Sequence, residues 1–197
     1  VNQDGSGIAD EAHDWEIHKS TLSMPFPNLP YLIDSGGPTK VQLTQSNAVM
    51  RYLARRFDYY GDTESDQIWI DILQDEAYDF RNLIISTAYT LGTEYQVAFN
   101  EFTSTAVPRY LDGFENYLSN RGIHTHFVGS RISLVDFILY ELIWQVSIMV
   151  PGSVTNIHRV SLWAFIEVFE KIPQIATYMA SSDYIDRPIN SPWASFT

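Results

Sequence analysis

The sequence predicts a mainly α-helical protein in which a short β-hairpin and one helix precede an all-helical region. Tyr31–Ile33 forms a short apolar run, and Thr39–Leu43 alternates between polar and apolar side chains well enough to be its hairpin partner. Near Thr44 the apolar period changes from two residues to the helical value of about 3.6. From residue 66 onward only helical periods occur. We therefore expect two domains, residues 1–58 and 66–197.

The elements of the first domain follow in order along the chain. The first 23 residues are polar and lack a sustained apolar period, so we expect a loop with at most one short helix. A strand at Tyr31–Ile33, a turn at Asp34–Pro38 and a second strand at Thr39–Leu43 form the predicted hairpin. A helix is expected from Thr44 to about Asp58, since apolar residues then share one helical face.

The second domain begins after a predicted linker at residues 59–65. Gly92 and the Asn120–Gly122 run interrupt the helical pattern and mark expected helix ends. Ser133 followed three positions later by Asp136 is typical of a helix start, because the acid can reach back to the free N–H groups there. The expected helices occupy residues 66–91, 94–119, 133–149, 161–170 and 174–181.

Composition excludes several classes of function. A net charge of -12, from 12 bases and 24 acids, argues against a nucleic-acid partner, which would require clustered Lys and Arg. Arg51, Arg55 and Arg56 form the densest basic group, and we interpret it as an ordinary helix surface. The most apolar stretch, Phe137–Val150, is shorter than the roughly 20 residues of a transmembrane helix. We expect no transmembrane segment and an intracellular location, either cytoplasmic or in an organelle.

Metal and thiol chemistry are also not expected. The chain contains no cysteine, which excludes disulfides and a thiolate nucleophile. His124 and His126 offer two metal ligands, but the sequence places no third ligand near them. Asp75, Glu76 and Asp79 fit a solvated helix face better than an acid–base pair.

Three motifs are specific enough to indicate a family. Phe26–Asp34 reads FPNLPYLID, Thr44–Ala48 reads TQSNA, and Arg51–Arg55 reads RYLAR. Together they closely resemble the mu-class glutathione S-transferase family. The resemblance implies an incomplete thioredoxin-like N-terminal domain on an all-helical C-terminal domain, with glutathione as the ligand or co-substrate. Further matches are Ser133–Phe137, Tyr178–Met179, Ser181–Ser182 and Arg187–Pro188.

The resemblance assigns glutathione-binding roles to the turn and to the helix start. In the family, an Asn-Leu-Pro turn with a cis proline presents its backbone to the cysteinyl part of glutathione, and Asn28, Leu29 and Pro30 match that turn. Gln45 and Ser46 stand where the positive end of a helix favours the γ-glutamyl carboxylate. Ordinary helix capping would select the same two residues, so that alternative stays open.

Trp15 and Lys19 precede Asn28 by 13 and 9 positions, which is the family's spacing for the tryptophan and lysine that hold the glycyl carboxylate. Asp79 corresponds to the acid that reaches across the dimer to the α-amino group of the ligand. The alternative for Asp79 is a solvated surface acid.

The resemblance also predicts residues at a subunit interface. Phe26 corresponds to the aromatic residue that inserts into the partner subunit, and Arg51 is placed at the same interface. An aromatic anchor of this kind can dominate the energy of an interface. The alternative for Phe26 is packing inside its own subunit.

The sequence departs from the family at its N-terminus. In the family, a tyrosine hydroxyl on the first strand stabilises the glutathione thiolate. Gly5–Trp15 corresponds to the loop after the second strand, so the catalytic tyrosine and its strand-helix-strand unit are expected to be absent. Tyr89 corresponds to a second tyrosine, which faces the electrophile. Ala12, beside His13, replaces an arginine of the glycyl-carboxylate cluster.

Two functional interpretations follow. The first is a non-catalytic, glutathione-transferase-like protein that serves as a binding or scaffold subunit of a homodimer or larger assembly, with a partner covering the open strand edge. The second is a mu-class glutathione S-transferase that conjugates glutathione to electrophiles, with its first segment missing from the sequence. The sequence alone favours the first.

Overall fold

The computed structural model describes residues 6–122 and 124–196, with side chains from residue 14 onward, and divides into two compact units at the Asp58–Tyr59 junction. The first unit contains helix α1 (Ser6–Thr21), strands β1 (Tyr31–Asp34) and β2 (Val41–Thr44), and helix α2 (Ser46–Arg56). The regular elements described in the second unit are α3 (Glu64–Ala88), α4 (Glu94–Glu101), a π-helical segment (Phe102–Ala106), α5 (Val107–Arg121), α6 (Leu134–Met149), α7 (Val160–Phe169) and α8 (Pro173–Met179).

Helix α1 corrects the expectation of a mostly irregular N-terminal region. It extends over 16 residues, where the sequence predicted a loop with at most one short helix. Its apolar residues do not form a one-sided stripe, so the periodicity that reveals the other helices is missing here. Among its described side chains, Trp15 stacks on Tyr31 of β1, with ring centres 6.2 Å apart and 16° between the ring planes, and the His18 ring lies within hydrogen-bonding distance of the Tyr31 hydroxyl at 3.0 Å.

The hairpin forms as predicted. Strands β1 and β2 are antiparallel, with Tyr31 opposite Thr44 and Asp34 opposite Val41. Helix α2 begins two residues after Thr44, so the end of β2 leads directly into the start of the helix.

Helix α3 supplies one wall of the core in the second unit. Its buried apolar residues recur every three or four positions, which places them on a single face. Thr63 begins the helix, since its hydroxyl accepts the Asp66 N–H at 3.1 Å while the Asp66 carboxylate accepts the Thr63 N–H at 3.1 Å. The residues on the buried face are Ile70, Leu73, Ala77, Phe80, Ile84 and Ala88.

Helix α6 packs against α3, and its predicted start is confirmed. The Asp136 carboxylate accepts hydrogen bonds from the Ser133 N–H at 2.7 Å and from the Phe127 N–H at 2.6 Å. Burial raises the pKa of Asp136 to about 6, although these hydrogen bonds oppose the shift. Asp136 therefore fixes both the start of α6 and the preceding loop.

The predicted helix at 94–119 is interrupted. A π-helical segment separates α4 from α5, and α5 ends at Gly122, whose φ of +64° provides the left-handed helix end expected of glycine. The helix period alone does not distinguish a π-helical turn from an α-helical one.

Two absences concern the described residues only. Within residues 6–122 and 124–196, no helix is long and apolar enough to cross a membrane. Over the same residues, no group of three or more His, Cys, Asp or Glu side chains is placed to hold a metal ion.

Candidate functional site

The structure brings several predicted binding residues to one end of the hairpin. Tyr31, the first residue of β1, pairs with Thr44, the last residue of β2. Paired residues of antiparallel strands lie about 4.5–5.5 Å apart, so Pro30 and Gln45, which adjoin this pair, also share that end of the hairpin. Trp15 stacks on Tyr31 there. The turn, the start of α2 and one face of α1 therefore border the same region of the first unit.

Gln45 has a backbone conformation that non-glycine residues rarely adopt. Its φ is +71° and its ψ is +110°. Such a conformation costs on the order of 1–3 kcal/mol and tends to occur at functional sites. The Gln45 side chain is exposed and makes no capping hydrogen bond to α2. The Gln45 side chain therefore does not cap α2, which was the alternative to ligand binding for this residue.

The start of α2 offers a place for a negative charge. Ser46 is the first residue of the helix, and the N–H groups of the first turn have no partner within it. These groups and the positive end of the helix dipole favour a carboxylate. The exposed amide of Gln45 adds a neutral donor beside them.

The turn before β1 has the predicted geometry. The Leu29–Pro30 peptide bond is cis, as expected. The Leu29 N–H donates a hydrogen bond to Oδ1 of Asn28 at 2.9 Å. A ligand that pairs with the Leu29 N–H must therefore replace the Asn28 side chain.

Trp15 and Lys19 lie one turn apart on α1 and are both half-buried. The Lys19 ammonium lies 3.2 Å from Oε1 of Glu16, and 39% of the Lys19 side chain is exposed. Exposed ion pairs of this kind contribute little to stability, so Lys19 can exchange Glu16 for a ligand carboxylate at small cost. The side chains of Ala12 and His13, and all of Gly5, lie outside the described residues.

Sequence reasoning missed the network that holds α2 against the hairpin. The Asp34 carboxylate accepts hydrogen bonds from the Tyr52 hydroxyl at 2.7 Å and from the Gly36 N–H at 2.8 Å. Arg56 Nε lies 2.9 Å from the same carboxylate. These contacts, with the Tyr52 hydrogen bond first, hold the pKa of Asp34 below its ordinary value. No pattern in the sequence links residue 34 to residues 52 and 56, so only the fold reveals that this network attaches the second half of α2 to the hairpin.

Tyr89 ends α3 in the second unit, and a second contact missed by sequence reasoning orients it. The Ser191 N–H donates a hydrogen bond to the Tyr89 hydroxyl oxygen at 3.1 Å. Nearby, the Ser195 N–H donates to the Ala88 carbonyl at 2.7 Å and the Ser195 hydroxyl donates to the Thr90 carbonyl at 2.6 Å. The Tyr89 oxygen thus accepts a bond from the chain, and its own hydrogen remains available to a ligand.

The remaining predicted residues are placed as follows. Asp79 is exposed on α3, as either of its two sequence interpretations requires. Arg51 is half-buried on α2. Phe26 is 81% exposed and has a φ of +52°, so within this chain it does not pack into a core.

The family model and the curated relatives that match this chain all belong to one family. Residues 78–182 match the family model described as "Glutathione S-transferase, C-terminal domain". The chain is 36% identical over 183 residues to glutathione S-transferase Mu 1 of Oryctolagus cuniculus, covering 93% of this chain and 78% of the relative. It is 32% identical over 182 residues to glutathione S-transferase Mu 3 of Homo sapiens, covering 92% and 76%.

Solved structures agree with this match. The glutathione S-transferase Blo t 8 superposes with a TM-score of 0.78 at 25% identity, covering 92% of this chain and 81% of that chain. A pi-class glutathione S-transferase of Onchocerca volvulus superposes with a TM-score of 0.77 at 24% identity, covering 92% and 83%. The predicted fold class is therefore confirmed.

These relatives bear on the two functional interpretations. The two mu-class relatives and Blo t 8 are glutathione S-transferases, which supports the transferase interpretation. They give no support to the non-catalytic scaffold subunit, or to the larger assembly, that the sequence alone favoured. They also do not confirm the expected absence of the family's first strand-helix-strand unit.

Proposed function

Because the chain belongs to the glutathione S-transferase family and has mu-class relatives, we propose that this protein binds glutathione and conjugates it to electrophiles. The observation that carries the proposal is the end of the hairpin where Tyr31 pairs with Thr44. Backbone donors, an exposed amide and a lysine border this region, and glutathione presents two carboxylates and a peptide backbone to match them.

Each part of the peptide has a candidate partner. The γ-glutamyl carboxylate is proposed to lie at the start of α2, against Gln45 and the Ser46 N–H and hydroxyl groups. The cysteinyl backbone is proposed to pair with Leu29 once the Asn28 side chain releases its N–H, with Pro30 shaping the turn. These contacts would orient the cysteinyl thiol and leave its sulfur free to react.

The two ends of glutathione need further charged partners. The glycyl carboxylate is proposed to take the place of Glu16 beside Lys19, with the Trp15 ring next to it. The α-amino group is assigned to Asp79 of the partner subunit. The hydroxyl that would stabilise the thiolate is not assigned to any residue of this chain, so glutathione binding and turnover are tested separately.

The electrophile is proposed to lie near Tyr89. Since the Ser191 N–H occupies an acceptor position of the Tyr89 oxygen at 3.1 Å, the phenol can donate its own hydrogen to a developing negative charge. This is the form of assistance that stabilises a transition state more than the ground state.

We also propose a homodimer. Phe26 is 81% exposed, and α3 and α5 border a groove of about 280 Å³. Its lining is mainly aromatic and aliphatic, including Trp69, Ile72 and Tyr117, with the charged residues Glu76 and Arg109 beside them. The Trp69 and Tyr117 rings are 5.3 Å apart, so the groove has aromatic walls suited to a phenyl ring. Phe26 of one subunit would fill this groove of the other, with Arg51 near the contact. The intracellular location expected from the sequence stays a prediction.

The binding step is tested by titrating glutathione into the 197-residue chain in a calorimeter. A Gln45→Ala, Ser46→Ala double variant is expected to bind at least about tenfold more weakly, because hydrogen bonds to a charged group are each worth roughly 1.5–3 kcal/mol. The matched control is Ser65→Ala, Gln67→Ala, which changes the same residue types at exposed positions in the first turn of α3. If the two double variants bind glutathione with equal affinity, the proposed site is wrong.

Turnover is tested on the protein purified from its native source, by following conjugation of glutathione to 1-chloro-2,4-dinitrobenzene. Conjugation well above the uncatalysed rate supports the transferase. Glutathione binding without conjugation would retain the site and refute the catalytic part of the proposal.

A further inference from the structure

A cavity in the second unit lies between α6 and the chain segment that follows α8. Its volume is about 210 Å³, which is smaller than the roughly 300–1,000 Å³ of sites for drug-sized ligands. Neither Tyr89 nor Asp79 lines it. The cavity is therefore a separate feature from the residues assigned to glutathione and the electrophile.

Aromatic rings form its walls on two sides. Tyr140 and Trp144 come from the same face of α6, four positions apart, and Tyr184 comes from the segment after α8. Phe169 stacks on Tyr140 with ring centres 4.5 Å apart and 22° between planes, which fixes that ring from behind. Tyr178 meets Tyr184 edge to face at 5.6 Å and 82°. The Tyr140 and Tyr184 rings are thus held in place before any ligand arrives.

The charged side chains of the lining are both acidic. Glu141 belongs to α6 and Asp186 to the opposite segment, and none of the described residues that line the cavity is a Lys or an Arg. Glu141 is paired with Arg81 at 2.6 Å, so Asp186 is the carboxylate better placed to compensate a ligand's charge. The net charge of the whole chain, -12, adds a long-range attraction for cations.

A hydrogen bond behind the wall increases the negative potential of one ring. The Tyr140 hydroxyl donates to Oε1 of Glu170 at 2.8 Å, which shifts electron density toward the phenol. Burial, together with this hydrogen bond, raises the pKa of Tyr140 above its ordinary value, so the ring stays neutral and keeps its attraction for a cation.

We propose that this cavity binds a small organic cation of the alkylammonium class, with Tyr140, Trp144 and Tyr184 as aromatic walls and Asp186 as the counter-ion. A quaternary ammonium group suits aromatic walls because it is attracted by ring faces and needs no hydrogen-bond acceptors. A metal ion does not suit them, since rings offer no ligands and the described residues contain no cluster of three metal-binding side chains. The inference does not depend on glutathione binding.

The test uses choline chloride as the probe and 3,3-dimethylbutan-1-ol as its neutral isostere, at matched ionic strength. Among the five tryptophans, the indole N–H signal of Trp144 in a ¹⁵N–¹H spectrum is identified by its loss in Trp144→Leu. We expect choline to shift this signal saturably and the alcohol to leave it in place. Calorimetry is expected to show about tenfold weaker choline binding in Trp144→Leu, the loss that one strong cation–π contact predicts.

Asp186→Asn separates binding from folding, because Asp186 is exposed and the change preserves side-chain shape. It is expected to weaken choline binding several-fold, whereas Trp163→Leu on α7, outside the lining, leaves the affinity unchanged. The proposal is overturned if choline shifts no indole signal, if the alcohol shifts the Trp144 signal equally, or if Asp186→Asn and Trp144→Leu both bind choline like the unmodified chain.

Discussion

Gln45 has an unfavourable backbone conformation, and its exposed side chain does not cap α2. Substitutions at this position can therefore separate the stability of the protein from its affinity for glutathione. Its φ of +71° is accessible to glycine but costly for residues with a Cβ. We expect Gln45→Gly to have a free energy of unfolding about 1 kcal/mol higher than Gln45→Ala. Both variants lose the amide, so both should bind glutathione more weakly. Urea denaturation and calorimetry measure the two quantities, and a glycine variant no more stable than the alanine variant would contradict the assignment of strain.

Tyr89 provides the corresponding test on the electrophile side. Tyr89→Phe removes the donated hydrogen and leaves the ring in place, so we expect kcat for conjugation in the native protein to fall about tenfold or more. The dissociation constant of glutathione should stay unchanged. Tyr178→Phe, at a residue 52% exposed on α8, is the matched control and should keep full kcat. A fall in both variants would point to a general effect on the fold instead.

Sequence reasoning was most successful where a residue type has one dominant local role. The Asn28–Pro30 turn and the Ser133–Asp136 helix start were located from spacing or resemblance and have the expected geometry. The partners of Asp34 and Tyr89 were not found, because their contacts join residues 18 and 102 positions apart with no local signal. Long-range hydrogen bonds of this kind depend on the fold and leave no periodic trace.

At the scale of the elements, apolar periodicity predicts the helices that bury one face, such as α3, and does not predict α1, which has no apolar stripe. Helix α3 buries apolar residues on one face and lies close to its predicted bounds, and α5 ends two residues beyond the single helix predicted for residues 94–119. Helix α1 contacts the hairpin through a stacked Trp15–Tyr31 pair and has no apolar stripe, so the sequence predicts only a loop with at most one short helix there. The π-helical segment keeps the helical pattern on both sides, which is why the sequence predicted a single helix there.

The start of α7 depends on a side chain from another helix. The Glu115 carboxylate of α5 accepts hydrogen bonds from the Ser161 N–H at 3.0 Å and the Leu162 N–H at 2.9 Å. Burial opposes ionisation of Glu115, but these bonds and those from the Ser161 and Ser119 hydroxyls outweigh it, so its pKa lies below the ordinary value of 4.5. The carboxylate therefore acts as an N-terminal cap supplied across the helix pair.

This cap gives a pH-dependent prediction. Glu115→Gln is expected to lower the free energy of unfolding by about 2 kcal/mol at neutral pH, since charge-assisted bonds to backbone N–H groups are lost. A carboxylate with a lowered pKa in the folded state stabilises the protein above its unfolded pKa, and this contribution disappears as the pH falls through the folded pKa. The difference between the two proteins should thus shrink below about pH 4.5.

Urea denaturation across a pH series measures that difference, and comparing the two proteins at each pH cancels the titration of other groups such as Asp136. Glu167→Gln on α7 is the control, because its 2.7 Å pair with Lys171 is exposed and should contribute roughly 0.5 kcal/mol or less. A Glu115→Gln effect that is constant with pH would show that packing, and not charge, accounts for the loss.

At the scale of the whole molecule, the exposed apolar surface of α3 indicates a partner. Ile68, Trp69 and Ile72 of α3 are 53%, 40% and 45% exposed in the single chain. Trp69 and Ile72 line the groove proposed for Phe26, and Ile68 precedes Trp69 on the same helix. Clustered exposure of large apolar side chains on a folded chain is typical of an interface. The proposed homodimer would cover this surface.

Phe26→Asn tests the homodimer. Asparagine tolerates positive φ better than phenylalanine, so the variant suits the backbone at φ +52° and removes the aromatic anchor without adding strain. Because such anchors commonly contribute 2 kcal/mol or more, the dimer dissociation constant should rise by about thirtyfold or more in sedimentation analysis. Phe57→Asn is the matched control, since Phe57 is 61% exposed at the end of α2 and has no role in the proposed contact. If the unmodified chain sediments as a monomer, or if both variants dissociate alike, Phe26 is not the anchor and the groove between α3 and α5 must be filled in another way.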